Sequence, residues 1–157
     1  MTNIYVATSW RNTLQPKAVE ELRKLGYNVY DFRNPEGGTG FAFGEVAADM
    51  TANGTYIDWN HESDNPHILE DVLNHPRCVA GFESDFAAMQ AADIVVLLLP
   101  SERDAHLEIG WAVGAGKQTH IVLDNPCKAS LMYRAVDYLH PNLADLLVTL
   151  GEDGYRV

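Results

Sequence analysis

The sequence predicts an α/β fold: a single doubly wound domain with a sheet of about five parallel strands flanked by helices, in the Rossmann-like or flavodoxin-like manner. Three observations carry that reading. Runs of β-branched and aromatic residues alternate with segments whose apolar positions recur at helical spacing, the pattern of βαβ units. Residues 94–99 (IVVLLL) are apolar without interruption, as a strand buried on both faces of a parallel sheet must be. A length of 157 residues with 46% hydrophobic side chains fits one domain, 1–157, around one core.

Residues 3–8 (NIYVAT) read as a strand that ends in the polar group Ser9, Trp10, Arg11 and Asn12. Over 15–25, Ala18, Val19, Leu22 and Leu25 repeat at helical spacing, Pro16 suits a first turn, and Gly26 supplies a stop. Residues 27–32 (YNVYDF) alternate as a second strand, so the opening is βαβ with a right-handed crossover. An irregular excursion follows over 33–78, with Gly37, Gly38, Gly40, Phe41, Phe43, Tyr56 and Trp59 and short helices expected at 45–52 and 68–74. Excursions of that length in a compact domain are usually functional loops or lids. Then come a helix at 82–92, the apolar strand 94–99, a helix at 105–116 stopped near Gly116, and a strand at 119–123. Helices at 131–139 and 143–150 close the pattern.

Twenty-two acidic against eleven basic side chains give a net charge of −11, with the Lys and Arg scattered. Nucleic-acid polymers and anionic membranes are therefore not expected partners, although one or two arginines suffice for a small phosphorylated ligand. Cys78 and Cys127 make no CxxC pair and follow no secretory leader, and the longest apolar run is too short for a bilayer. A soluble protein of the reducing cytoplasm is expected.

In doubly wound sheets, ligands sit beyond the carboxyl ends of strands, here the loops after Thr8, Phe32, Leu99 and Leu123. Ser9 and Arg11, with backbone N–H groups ahead of a helix, can hold an anion; the alternative is a polar turn with Arg11 in solvent. Neither GxGxxG nor GxxxxGK[ST] occurs. In LPSERDAHLEIGWA (99–112), Glu108 falls in the first or second turn of a helix between Leu107 and Ile109. A carboxylate there, held ionised by the helix N-terminus and shielded from water, is set up as a nucleophile; alternatively it complements the dipole on an exposed face. Asp93, opening a buried strand, reads as a structural cap, and Asp85 as a residue that begins a helix, either functional or an N-cap. Six histidines without HxH or HxxxH spacing give no reason to expect a metal, and without GxSxG a Ser-His-Asp triad lacks support.

Together these pieces resemble the nucleoside 2-deoxyribosyltransferase family, including the related nucleoside 5′-monophosphate N-glycosidases, over most of the chain. The resemblance rests on Tyr5 with Ser9 behind it, on Asp85 followed by Met89-Gln90-Ala91-Ala92-Asp93 and the apolar strand, and on Glu108-Ile109-Gly110-Trp111-Ala112 before Gly116-Lys117. It implies that Glu108 attacks the anomeric carbon to form a glycosyl ester, that Asp85 handles the leaving base, and that Tyr5 orients Glu108. No cofactor is implied.

Ser9, Trp10 and Ser101 would contact substrate. Arg11, with Arg103, resembles a 5′-phosphate site, whereas Glu102, six residues before Glu108, matches an acid that contacts a 5′-hydroxyl and would repel phosphate. Phe41 and Phe43 would cover the base, or else be core residues under a loop. The resemblance further implies a homo-oligomer with shared sites, Asn125 being the donated group, and a nucleoside or nucleotide plus a free nucleobase as ligands. Three activities stay open: 2-deoxyribosyl transfer between bases, hydrolysis of nucleoside 5′-monophosphates, and nucleotide sensing without turnover, against which Glu108 argues.

Overall fold

A computed structural model describes residues 1–35, 40–54, 66–128 and 130–153. Strands β1 (Asn3–Ala7), β2 (Asn28–Tyr30), β3 (Ile94–Leu98), β4 (Gln118–Val122) and β5 (Tyr138–His140) form one sheet in the order β2-β1-β3-β4-β5. Every pairing is parallel. Helices are α1 (Gln15–Lys24), α2 (Phe43–Ala52), α3 (Pro66–Leu73), α4 (Pro76–Ala91), α5 (Arg103–Gly114) and α6 (Leu143–Asp153). The chain divides into two compact units, Met1–Asp31 with Ala88–Val157, and Phe32–Ala87. Among the described residues no helix is long and apolar enough to cross a membrane.

The first unit holds the sheet. All five residues of β3 are buried, as its uninterrupted apolar sequence requires. Strand alternation sends Ile4 and Val6 to one face, where with Val96, Leu98 and Val122 they meet Ala18, Val19 and Leu22 of α1 and Leu143, Leu146 and Leu150 of α6. Tyr5 therefore points to the opposite face, against which α5 packs. Gly26 (φ +91°) and Gly116 (φ +70°) end α1 and α5 in the left-handed conformation that glycine adopts without strain. From β1 the chain steps to β2 on one side and later to β3 on the other, so the carboxyl ends of β1 and β3 flank the crevice where such sheets bind ligands.

Two expectations are corrected. Residues 131–139 are not a helix but a 3₁₀ turn, Leu131–Ala135, followed by β5. Leu131 and Met132, which mimic a helical stripe, are 81% and 72% exposed and so bury no face. Asp137 then accepts hydrogen bonds from the Thr119 backbone N–H and Oγ1, both at 2.8 Å, which pins the chain beside β4 and starts the pairing His120 with Tyr138. The helix expected at 82–92 begins earlier, at Pro76, a residue suited to a first turn.

The second unit has a small core of Val46, Val72 and Cys78, with Phe41, Met50 and Ile68 packed against it. Gly81 of α4 leaves room for the Phe41 ring, which a Cβ there would meet at 2.9 Å. Gly37, Gly38, Tyr56 and Trp59 lie outside the described residues.

Candidate active site

The loops after β1 and β3 are fastened to each other. Thr8 Oγ1 donates to the Leu98 carbonyl at 2.8 Å. Asn12 Nδ2 donates to Thr8 Oγ1 at 2.9 Å and lies 3.2 Å from the Pro100 carbonyl and 3.3 Å from that of Leu98. Asn12 Oδ1 accepts from the Leu14 N–H at 2.9 Å, closing an Asx turn ahead of α1. Asn12 is buried. Sequence reasoning left it an anonymous loop residue.

Glu108 sits in the second turn of α5, whereas Asp104 occupies the first, where a helix dipole acts most strongly. What holds Glu108 is Tyr5: the phenol donates to Glu108 Oε1 at 2.9 Å. The carboxylate is half-buried, so the reading of an exposed residue that merely complements the dipole fails. Tyr5 is itself buried, and its ring stacks on Tyr30, its register partner in β2, at 5.7 Å and 11°. Tyr30 was not read as a site residue; its signal is the cross-strand register, visible only once the strands are aligned.

Arg11 and Glu102, rival contacts for one substrate group in the sequence, face each other at 3.6 Å, with side chains 86% and 68% exposed. Such an exposed pair adds little stability. Its meaning is electrostatic, since the guanidinium at this end already has a carboxylate before it. Ser9 Oγ accepts from the Arg11 N–H at 3.2 Å, and Trp10 is half-exposed beside it.

Ser101, Glu102, Arg103, His106 and Leu107 line an open hollow of about 590 Å³ at the start of α5. Glu108 is not among the described residues that line it. His106 Nδ1 lies 2.8 Å from the Glu102 carbonyl, which requires a proton on Nδ1, and the Ser101 hydroxyl at 3.5 Å therefore finds no base there. His106 Nε2 meets the Tyr133 hydroxyl at 3.0 Å. Burial, and secondarily Asp124 and Cys127, push the Tyr133 phenol above its ordinary range. Asn125 is exposed on the segment after β4.

Asp85 does not begin a helix: it lies well inside α4, in the second unit, half-buried, and the N-cap alternative is excluded. Phe41 belongs to the small core of that unit, and Phe43 opens α2 at 40% exposure, edge-on to Phe41 at 4.8 Å. Asp93 is the structural residue expected, its Oδ2 accepting from the Asn3 N–H at 2.8 Å.

A buried chain that the sequence did not reveal runs along the sheet edge. Gln118 Nε2 meets His120 Nε2 at 3.0 Å, His120 Nδ1 meets His140 Nε2 at 2.8 Å, and His140 Nδ1 meets Asp145 Oδ2 at 2.8 Å. One consistent direction of donation runs from Gln118 through both rings to Asp145. Among the described residues no three His, Cys, Asp or Glu converge as metal ligands.

The sequence matches no family model and no curated protein. In structure it is similar to a CMP N-glycosidase of Clostridium botulinum, BcmB, at 14% identity over 95% of this chain and 98% of that one, with a TM-score of 0.51. It is likewise similar to a 2-deoxyribosyltransferase of Bacillus psychrosaccharolyticus, at 18% identity over 93% and 90% of the two chains, with a TM-score of 0.55. At these identities the likeness is one of fold, and the chain has the α/β fold of that transferase and that N-glycosidase.

Proposed function

We propose that the chain is an enzyme of the nucleoside 2-deoxyribosyltransferase type, which cleaves the N-glycosidic bond of a (deoxy)nucleoside and passes the 2-deoxyribosyl group to another nucleobase. The observation that carries this is the Tyr5–Glu108 hydrogen bond, at 2.9 Å, between strand β1 and helix α5 of the first unit. A binding protein has no need of a carboxylate aimed by a buried phenol.

On this reading Glu108 attacks the anomeric carbon as the bond to the base nitrogen breaks. The departing base takes that electron pair and is protonated or hydrogen-bonded by Asp85. The positive charge that builds on the sugar in the transition state lies against the Glu108 carboxylate, as in retaining glycosidases. The ring nitrogen of a second base then attacks the glycosyl ester, Glu108 leaves as the carboxylate, and the ring N–H proton of the incoming base passes to the group that protonated the first. Every atom moved comes from sugar, base, Glu108 or Asp85, so the transfer calls for no cofactor. The family resemblance gives the sugar end to Ser9, Trp10 and Ser101, the base to Phe41 and Phe43, and a group donated by a neighbouring copy to Asn125. The exposed apolar side chains of Leu131 and Met132 supply surface for such a homo-oligomer.

The pairing of Arg11 with Glu102 favours an uncharged 5′-hydroxyl, because the carboxylate offsets the one guanidinium that would receive a phosphate. A second reading, hydrolysis of a (deoxy)nucleoside 5′-monophosphate, draws on the exposure of Arg11 and Ser9's place beside it, with Arg103 following Arg11's partner Glu102 in sequence. The test is product analysis after incubation with each deoxynucleoside and each 5′-monophosphate, with and without a second free base. Base exchange on nucleosides supports the first reading, release of free base from monophosphates alone supports the second, and intact glycosidic bonds throughout contradict both.

A further inference from the structure

We propose that Asn12 is a positioning residue that sets the gap between the two ligand-facing loops and thereby the enzyme's preference at the substrate's 5′ end; the substrate part of this rests on the function proposed above. Asn12 is buried, at 4% exposed, and offers almost no surface to a ligand. Its two amide hydrogens are shared among Thr8 Oγ1, the Pro100 carbonyl and the Leu98 carbonyl at 2.9, 3.2 and 3.3 Å, while its oxygen accepts from Leu14. Thr8 donates to the same Leu98 carbonyl at 2.8 Å. One buried side chain thus ties the loop carrying Ser9 and Arg11 to the end of β3 and to the residue just before Ser101 and Glu102. Across that gap Arg11 and Glu102 stand 3.6 Å apart.

Asparagine is the residue this network needs, since it gives two donors and one acceptor from one planar group. Aspartate, of the same size, would set carboxylate oxygen against two carbonyl oxygens. Alanine would leave those carbonyls short of a donor. A fully satisfied buried network is rigid, so the two loops move as one body rather than separately.

The test compares the parent with Asn12→Asp, Asn12→Ala, Thr8→Val and Thr8→Ser. For each, kcat and KM are measured on a deoxynucleoside and its 5′-monophosphate, and amide hydrogen exchange is followed at residues 9–11 and 101–103. In Asn12→Asp the ratio of kcat/KM between the two substrates should shift about tenfold, through KM, with kcat held within about threefold. Amides of both loops should exchange about tenfold faster while β1 and β3 stay protected. Thr8→Val should shift both readouts in the same direction, Thr8→Ser should stay parental, and Asn12→Ala or Thr8→Val decides the matter should Asn12→Asp fail to fold. A residue with a merely structural role would lower the melting temperature and leave the substrate ratio unchanged, and that result overturns the proposal, as does faster exchange in one loop alone. If the parent cleaves neither substrate, the proposed function fails, and the exchange experiment alone upholds or overturns the coupling of the loops.

Discussion

Tyr5 donates its phenolic proton to Glu108 Oε1 at 2.9 Å while its ring lies nearly parallel to that of Tyr30, its partner across β1 and β2. The carboxylate is thus aimed from the sheet, by a rigid aromatic pair, rather than by the helix that bears it.

Removing only the hydroxyl tests that aim. Tyr5→Phe keeps the ring and the stack, so the fold should persist. A hydrogen bond to a charged group is worth about 1.5–3 kcal/mol, and kcat/KM should fall about ten- to a hundredfold, mostly in kcat. Steady-state kinetics that leave kcat within about twofold of the parent would show that Glu108 does not depend on Tyr5.

Tyr30 should matter through its ring. Tyr30→Phe retains the stack, whereas Tyr30→Leu loses a contact worth about 0.5–1.5 kcal/mol and lets Tyr5 drift. A drop in kcat of up to about tenfold with KM little changed is expected for Leu, and a smaller one for Phe. Equal losses in Phe and Leu would place the effect on the hydroxyl and not on the stack.

Much of this framework is legible in the sequence, for physical reasons. A strand buried on both faces has to be apolar throughout, so residues 94–99 betray both β3 and the parallel sheet. The glycines that stop α1 and α5 sit at left-handed positions that few other residues tolerate. Strand β5 was missed because three edge residues carry almost no alternation, while the exposed Leu131 and Met132 imitate a helical stripe. The start of α4 is not legible because its first turn packs, through Cys78, on Val46 of α2, remote in sequence, and on Val72 of α3. Tyr5 and Glu108 were paired through family resemblance, since spacing says nothing of residues 103 apart. Arg11 and Glu102 looked like competitors for the same reason: only the fold reveals that each faces the other.

Their pairing makes a prediction about charge. Glu102→Gln removes the carboxylate that offsets Arg11 and should raise kcat/KM for a 5′-monophosphate about tenfold while lowering it for the deoxynucleoside. Arg11→Ala should cost about ten- to a hundredfold on the monophosphate and leave the nucleoside nearly unaffected. Parallel changes on both substrates, at matched ionic strength, would remove this pair from 5′ selection.

The two thiols should part company. Burial raises the Cys78 thiol above its ordinary value of 9.0, so the folded protein keeps it protonated, while Cys127 is exposed. Iodoacetamide near neutral pH should therefore label one cysteine per native chain, Cys127, and both only after denaturation. The sign follows for stability: a folded pKa above the unfolded one favours the native state fully below the ordinary thiol value and loses that contribution as pH climbs through the folded value. Rapid labelling of Cys78 in the native protein would contradict its burial.

Covalent attachment of Glu108 to the sugar is tested by acid quenching during turnover of a deoxynucleoside, followed by peptide mass spectrometry. A deoxyribosyl ester on the peptide containing Glu108 is the expected result. Its amount should fall when a second free base is added, and it should be missing from Glu108→Ala, which folds but does not turn over. Full activity in Glu108→Ala, or a glycosyl adduct on another residue, would contradict it.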